Sequence, residues 1–95
     1  MAVHRLRIPD GLAASIRGLH PSIKKKVRAG LEAILHAPES GKALKDELPG
    51  LRSYRLGNLR IIYRLAKGRV IEIVAVGPRR WIYEDTYRRV RRKTP

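Results

Sequence analysis

Ninety-five residues without a cysteine, carrying 22 Lys and Arg against eight Asp and Glu for a formal net charge of +14, describe one small, strongly basic domain spanning residues 1–95. The 43% of hydrophobic residues excludes wholesale disorder, the short apolar runs exclude a transmembrane helix, and the missing cysteines exclude disulfides and sulfur-ligated zinc. The N-terminus has no hydrophobic leader, so a cytoplasmic protein is expected.

Ala2 to Ile8 alternates as a short strand, stopped by Pro9 and Asp10, with Asp10 as a helix N-cap. Leu12, Ile16 and Leu19 then fall at helical spacing. Pro21 opens a second helix whose apolar stripe is Ile23, Val27, Leu31, Ile34 and Leu35, with Lys24, Lys25, Lys26 and Arg28 mostly on its wet side. Pro38 ends it, and Glu39 to Gly50 reads as loop. Leu51–Leu56 and Leu59–Leu65 are strands joined by Gly57-Asn58, a two-residue hairpin turn of the kind that starts with Gly. Lys67-Gly68 leads into a third strand, Arg69–Val76. After Gly77-Pro78 a last helix carries Ile82, Thr86 and Val90, followed by the basic tail Arg88–Lys93. The order β-α-α-β-β-β-α is an α+β fold, a helical hairpin packed on one face of a small, mostly antiparallel sheet.

Charge is uneven along this order. Through Leu51 there are nine basic and five acidic residues; from Arg52 there are thirteen and three, so the second half carries +10 of the +14. Such self-repulsion points to a polyanionic partner: RNA, DNA or an acidic protein segment.

Loop length sets register, and opposed residues share a face. Across Gly57-Asn58, Arg55 faces Arg60, Tyr54 faces Ile61 and Arg52 faces Tyr63. A two-residue turn at Lys67-Gly68 would pair Leu65 with Val70, Tyr63 with Glu72 and Ile61 with Val74. The face away from the helices then collects Arg55, Arg60, Arg64, Ile62, Ile71, Ile73 and Ala75, with Gly77 and Arg79 beyond. Arg55 opposite Arg60 costs stability, because like charges in that relation repel. The small residues at 75 and 77 leave room for an anion among Arg55, Arg60 and Arg79, each offering forked donors that suit phosphate. Ile62, Ile71 and Ile73 form an apolar strip fit for a partner's helix or strand. Arg52, on the helix-covered face, is expected to pair with Glu72.

The run Gly50-Leu51-Arg52-Ser53-Tyr54-Arg55-Leu56-Gly57-Asn58-Leu59-Arg60-Ile61-Ile62-Tyr63-Arg64, and Val76-Gly77-Pro78-Arg79-Arg80-Trp81-Ile82-Tyr83 after it, resemble the two signatures of the RelE/ParE toxins of toxin–antitoxin pairs. The resemblance implies a ribosome-dependent, metal-independent mRNA endonuclease, in which a ribose 2′-hydroxyl attacks the adjacent phosphate. It also implies a cognate antitoxin that holds the toxin. The alternative within the same family is a ParE-like inhibitor of DNA gyrase without nuclease activity. Carried over by position, Arg55, Arg60, Arg79 and Tyr83 are the implied catalytic residues. Arg64, Arg80, Lys24 and Lys25 are expected RNA contacts, and Ile62, Ile71 and Ile73 expected antitoxin contacts. Ser53 stands where the family places a basic residue, and Pro78 where it places His. His4, His20 and His36 lie far apart without a carboxylate cluster, so no metal or cofactor is expected.

Overall fold

The computed structural model describes residues 4–44 and 50–78. They form β1 (Arg5–Arg7), α1 (Asp10–Arg17), α2 (Pro21–His36), β2 (Lys42–Ala43), β3 (Arg52–Leu56), β4 (Leu59–Ala66) and β5 (Val70–Pro78). The expected last helix and basic tail lie outside the described residues.

Pro9, not Asp10, occupies the N-cap of α1; Asp10 sits in the first turn, where its charge meets the positive end of the helix dipole. α2 begins at Pro21 as anticipated, and His20 Nδ1 accepts a hydrogen bond from the Ser22 amide at 3.2 Å. Val27, Gly30, Leu31 and Ile34 are the buried residues of α2. Ile23, at the helix start, is 37% exposed and drops out of the expected stripe.

The sheet order is β1-β5-β4-β3-β2. β1 runs parallel to β5, and the other three pairings are antiparallel. The two-residue strand β2, inside the stretch read as loop, pairs Lys42 with Ser53 and Ala43 with Arg52; two residues are too few to show alternation in a sequence. Leu12, Val27, Leu31 and Ile34 from the helices meet Ile61, Tyr63, Ile71 and Ile73 from the sheet in one core. The α+β layering is therefore the expected one, with the helical pair on one face.

The two hairpins differ in how well their turns foretold them. Gly57 has φ +65°, the left-handed conformation that starts this two-residue turn, and Arg52, Tyr54, Arg55 and Leu56 face Tyr63, Ile61, Arg60 and Leu59 as expected. The second loop has three residues, because Arg69 joins Gly68 at positive φ (59° and 75°), and Ala66, not Leu65, lies opposite Val70. This one-residue slip turns Ile71 and Ile73 onto the helix-covered face and Glu72 onto the other. Between the pairs Tyr63–Ile73 and Ile62–Ala75, Val74 is an extra residue. That bulge restores parity, so Ala75 and Gly77 return to the outer face, with Gly77 opposite Arg60.

Two expectations fall with this register. Ile62, Ile71 and Ile73 do not form an exposed apolar strip: all three are 0% exposed. Ile71 and Ile73 belong to the helix-side core, while Ile62 packs with Leu51 and Ala75 in a second cluster joined by Leu44 and Val74. Nor does Arg52 pair with Glu72. It donates from Nε to the Gly41 carbonyl (3.1 Å) and from Nη2 to the Glu39 carbonyl (3.0 Å), bracing the segment after α2. Tyr63 braces the same segment, donating from its hydroxyl to the Pro38 carbonyl (2.7 Å) and accepting from the Gly41 amide (2.9 Å).

Candidate functional site

The outer face of the sheet is built by alternation along β3 and β4, which sets Ser53 and Arg55 beside Arg60 and Ile62. The Arg55 side chain is exposed and, among the described residues, has no hydrogen bond or ion pair. Arg60, directly across from it, is half-buried. Its Nη1 donates to Ser53 Oγ over 3.4 Å, and its Nε is buried with no hydrogen-bond partner. On its other side stands Gly77, which offers no side chain. A buried guanidinium N–H without an acceptor is costly in a finished structure. With an exposed second arginine alongside, the uncovered N–H groups of the pair are forked donors that suit phosphate oxygens, while Nε itself stays covered.

Farther along the same face two more arginines share one carboxylate, which offsets part of their charge. Glu72 accepts from Arg64 Nε through one carboxylate oxygen and from Arg7 Nη1 (3.3 Å) through the other. Burial by itself pushes the Glu72 carboxyl up, but the hydrogen bonds and charge of Arg64, and then of Arg7, outweigh it and hold its pKa below the ordinary carboxylate value. Arg64, expected to contact RNA, is thus committed to a carboxylate. Arg7 and Glu72 entered no sequence-based account of the site, since only the parallel pairing of β1 with β5 brings them face to face.

Of the four residues implied as catalytic, the structure brings Arg55 and Arg60 together; Arg79, Arg80 and Tyr83 lie outside the described residues. Lys24 and Lys25 stand on α2, which packs on the opposite face of the sheet, so they do not join the arginine pair. In the sequence Ser53 stands out only for lacking charge, but the hairpin register sets it on a diagonal from Arg60, where the two side chains meet. Among the described residues no group of three or more His, Asp or Glu is placed to hold a metal ion, and no helix is long and apolar enough to cross a membrane.

Residues 6–83 match the family described as ParE toxin of type II toxin-antitoxin system, parDE. The chain belongs to the RelE/ParE toxin superfamily. It is accordingly a toxin of a type II toxin–antitoxin system. Solved structures agree with this RelE/ParE assignment. A chain of the RelBE2 toxin–antitoxin complex from Mycobacterium tuberculosis is 26% identical, covering 82% of this chain and 100% of that one at a TM-score of 0.71. A free E. coli RelE bearing two arginine substitutions superposes with TM-score 0.74 over 99% of this chain and 100% of its own, at 17% identity. The archaeal RelE–RelB complex from Pyrococcus horikoshii OT3 gives 0.65, with 24% identity and coverage of 83% and 98%. The latter two, at such identities, speak for the fold alone. No curated protein matches the toxin by sequence.

Proposed function

We propose that this toxin is a ribosome-dependent endoribonuclease that cuts translated mRNA in the cytoplasm and is held inactive by a cognate antitoxin. The observation that carries the reading is Arg60: a half-buried guanidinium, with an unpartnered Nε, on the sheet face it shares with Arg55. In the proposed step the ribose 2′-oxygen bonds to the adjacent phosphorus and loses its proton. The bond from phosphorus to the 5′-oxygen breaks, and that oxygen gains a proton. The products are a 2′,3′-cyclic phosphate and a 5′-hydroxyl end. Charge builds on the phosphoryl oxygens along this path, and guanidinium groups, permanently protonated, neutralise it without themselves moving protons. Arg60 and Arg55 serve this role, joined by Arg79, with Tyr83 stacking on a base or donating to the leaving oxygen. Arg80, Lys24 and Lys25 add longer-range attraction to RNA. The names of the similar structures, two of them complexes of toxin with antitoxin, support the partner assignment.

The test is reconstituted translation with the purified toxin, mapping the 5′ ends of the transcript. Cleavage is expected only on translated message, and Arg60→Ala is expected to slow it by about 10²–10³. The uncharged Ser53, in place of a basic residue, favours a second reading, the gyrase inhibitor. Intact transcripts together with blocked supercoiling by gyrase would establish that reading instead.

A further inference from the structure

We propose that Ser53 is the positioning residue for Arg60, setting the direction in which its guanidinium meets phosphate; this rests on the reading of Arg60 as a phosphate-neutralising group. The argument starts from what surrounds Arg60. Arg55, directly opposite, repels it, and Gly77, across the other strand interface, presents no side chain. Left to these two neighbours, a long flexible side chain would swing outward into water, where an arginine is best solvated. It does not. The Arg60 side chain lies half-buried with its Nε wholly covered, and Nη1 reaches diagonally over the sheet to Ser53 Oγ.

Ser53 suits this task. It is 2% exposed, the one buried side chain of the described residues besides Tyr63 that carries a polar group, and its strand is fixed by pairing with Ile62 on one side and Lys42 on the other. A hydroxyl in that place can accept from Nη1 without competing as a charge. The bond anchors one corner of the guanidinium plane. Nε is thereby held with its hydrogen unshared, while the remaining N–H groups are left for a ligand. A lysine or arginine here would add a third positive charge to the Arg55–Arg60 pair and push Arg60 away. The serine instead draws it in. Such alignment before the substrate arrives lets a donor act without reorganisation cost.

The experiment compares wild type with Ser53→Ala, which removes the acceptor, and Ser53→Cys, which keeps the side-chain shape but replaces oxygen with a somewhat larger, weakly accepting sulfur. Three readouts are taken on the full chain, with urea unfolding as the check on folding. Side-chain nitrogen NMR follows the rotation of the Arg60 Nη groups. Fluorescence anisotropy follows binding of a 2′-deoxy trinucleotide, a probe that cannot be cleaved. Kinetics of transcript cleavage on ribosomes separates kcat from KM. Both variants are expected to free Nη rotation and weaken trinucleotide binding about tenfold. Where cleavage is measurable, kcat should fall by more than KM rises. Ser53→Cys behaving as wild type assigns Ser53 to packing and overturns the proposal, as do unchanged Nη rotation and trinucleotide affinity within about twofold in both variants. If wild type cuts no transcript, the nuclease reading fails by itself, and the NMR and trinucleotide data still decide the role of Ser53.

Discussion

Tyr63→Phe tests how the fold holds the segment between α2 and the arginine-bearing strands. Tyr63 is fully buried, and its hydroxyl both donates to the Pro38 carbonyl at 2.7 Å and accepts from the Gly41 amide at 2.9 Å. Deleting one oxygen therefore breaks two bonds and leaves the amide of the buried Gly41 without its acceptor. Two net hydrogen bonds are worth about 1–3 kcal/mol together, and stranding a buried donor brings the total to about 2–4 kcal/mol. For a domain of this size each kcal/mol lowers Tm by about 4–8 °C, so a fall of at least ~8 °C is expected. Urea unfolding should show a lower midpoint with an unchanged slope, since no additional surface is exposed. Gly41→Ala approaches the same contact from the other side: an added Cβ would lie 2.5 Å from the Tyr63 hydroxyl oxygen and 2.8 Å from a ring carbon, so it should destabilise by a comparable or larger amount. A loss below about 0.5 kcal/mol for Tyr63→Phe would refute the reasoning, because it would mean that the segment relaxes freely and the hydroxyl anchors nothing.

Glu72→Gln removes the carboxylate shared by Arg7 and Arg64 and should cost about 0.2–1 kcal/mol per pair at neutral pH. The Glu72 pKa is lowered in the fold, so its contribution is complete above the unfolded value of about 4.3 and disappears as pH falls through the lower folded value; the wild-type and mutant stability curves, measured by urea unfolding, should converge there and stay apart above it. Arg69→Gly relieves a non-glycine residue at φ 59° and should raise stability by about 0.5–1 kcal/mol in the same measurement. Gly30→Ala gains helix propensity but sets a Cβ 2.9 Å from Ile61 Cδ1 in a packed core; overpacking should win by about 1 kcal/mol, read as a lower Tm. Binding of single-stranded RNA should weaken steeply as salt rises, and Arg60→Gln should reduce the slope of log affinity against log salt by ~0.7.

The local chemistry of the chain determined a good deal by itself. Helical spacing in Leu12, Ile16 and Leu19 and in Val27, Leu31 and Ile34 specified two amphipathic helices, and Gly57-Asn58 specified a turn whose geometry leaves one register for β3 and β4. The opposition of Arg55 and Arg60 followed from that turn alone. Tertiary structure decided the rest. Arg69 takes a left-handed backbone that its residue type does not announce, and Val74 forms a bulge, so the face occupied by Ile71, Glu72 and Ile73 could not be read from alternation. Those residues gain more by burying two isoleucines under the helices than a two-residue turn would save. Likewise the Arg7–Glu72–Arg64 group joins three strands, one of them most of the chain away, and the Arg60–Ser53 contact depends on which neighbours repel and which accept. Periodicity and turn chemistry act over a few residues and are written locally; pairing between distant strands and the partner a charge finally adopts are settled only when all the surfaces compete for burial at once.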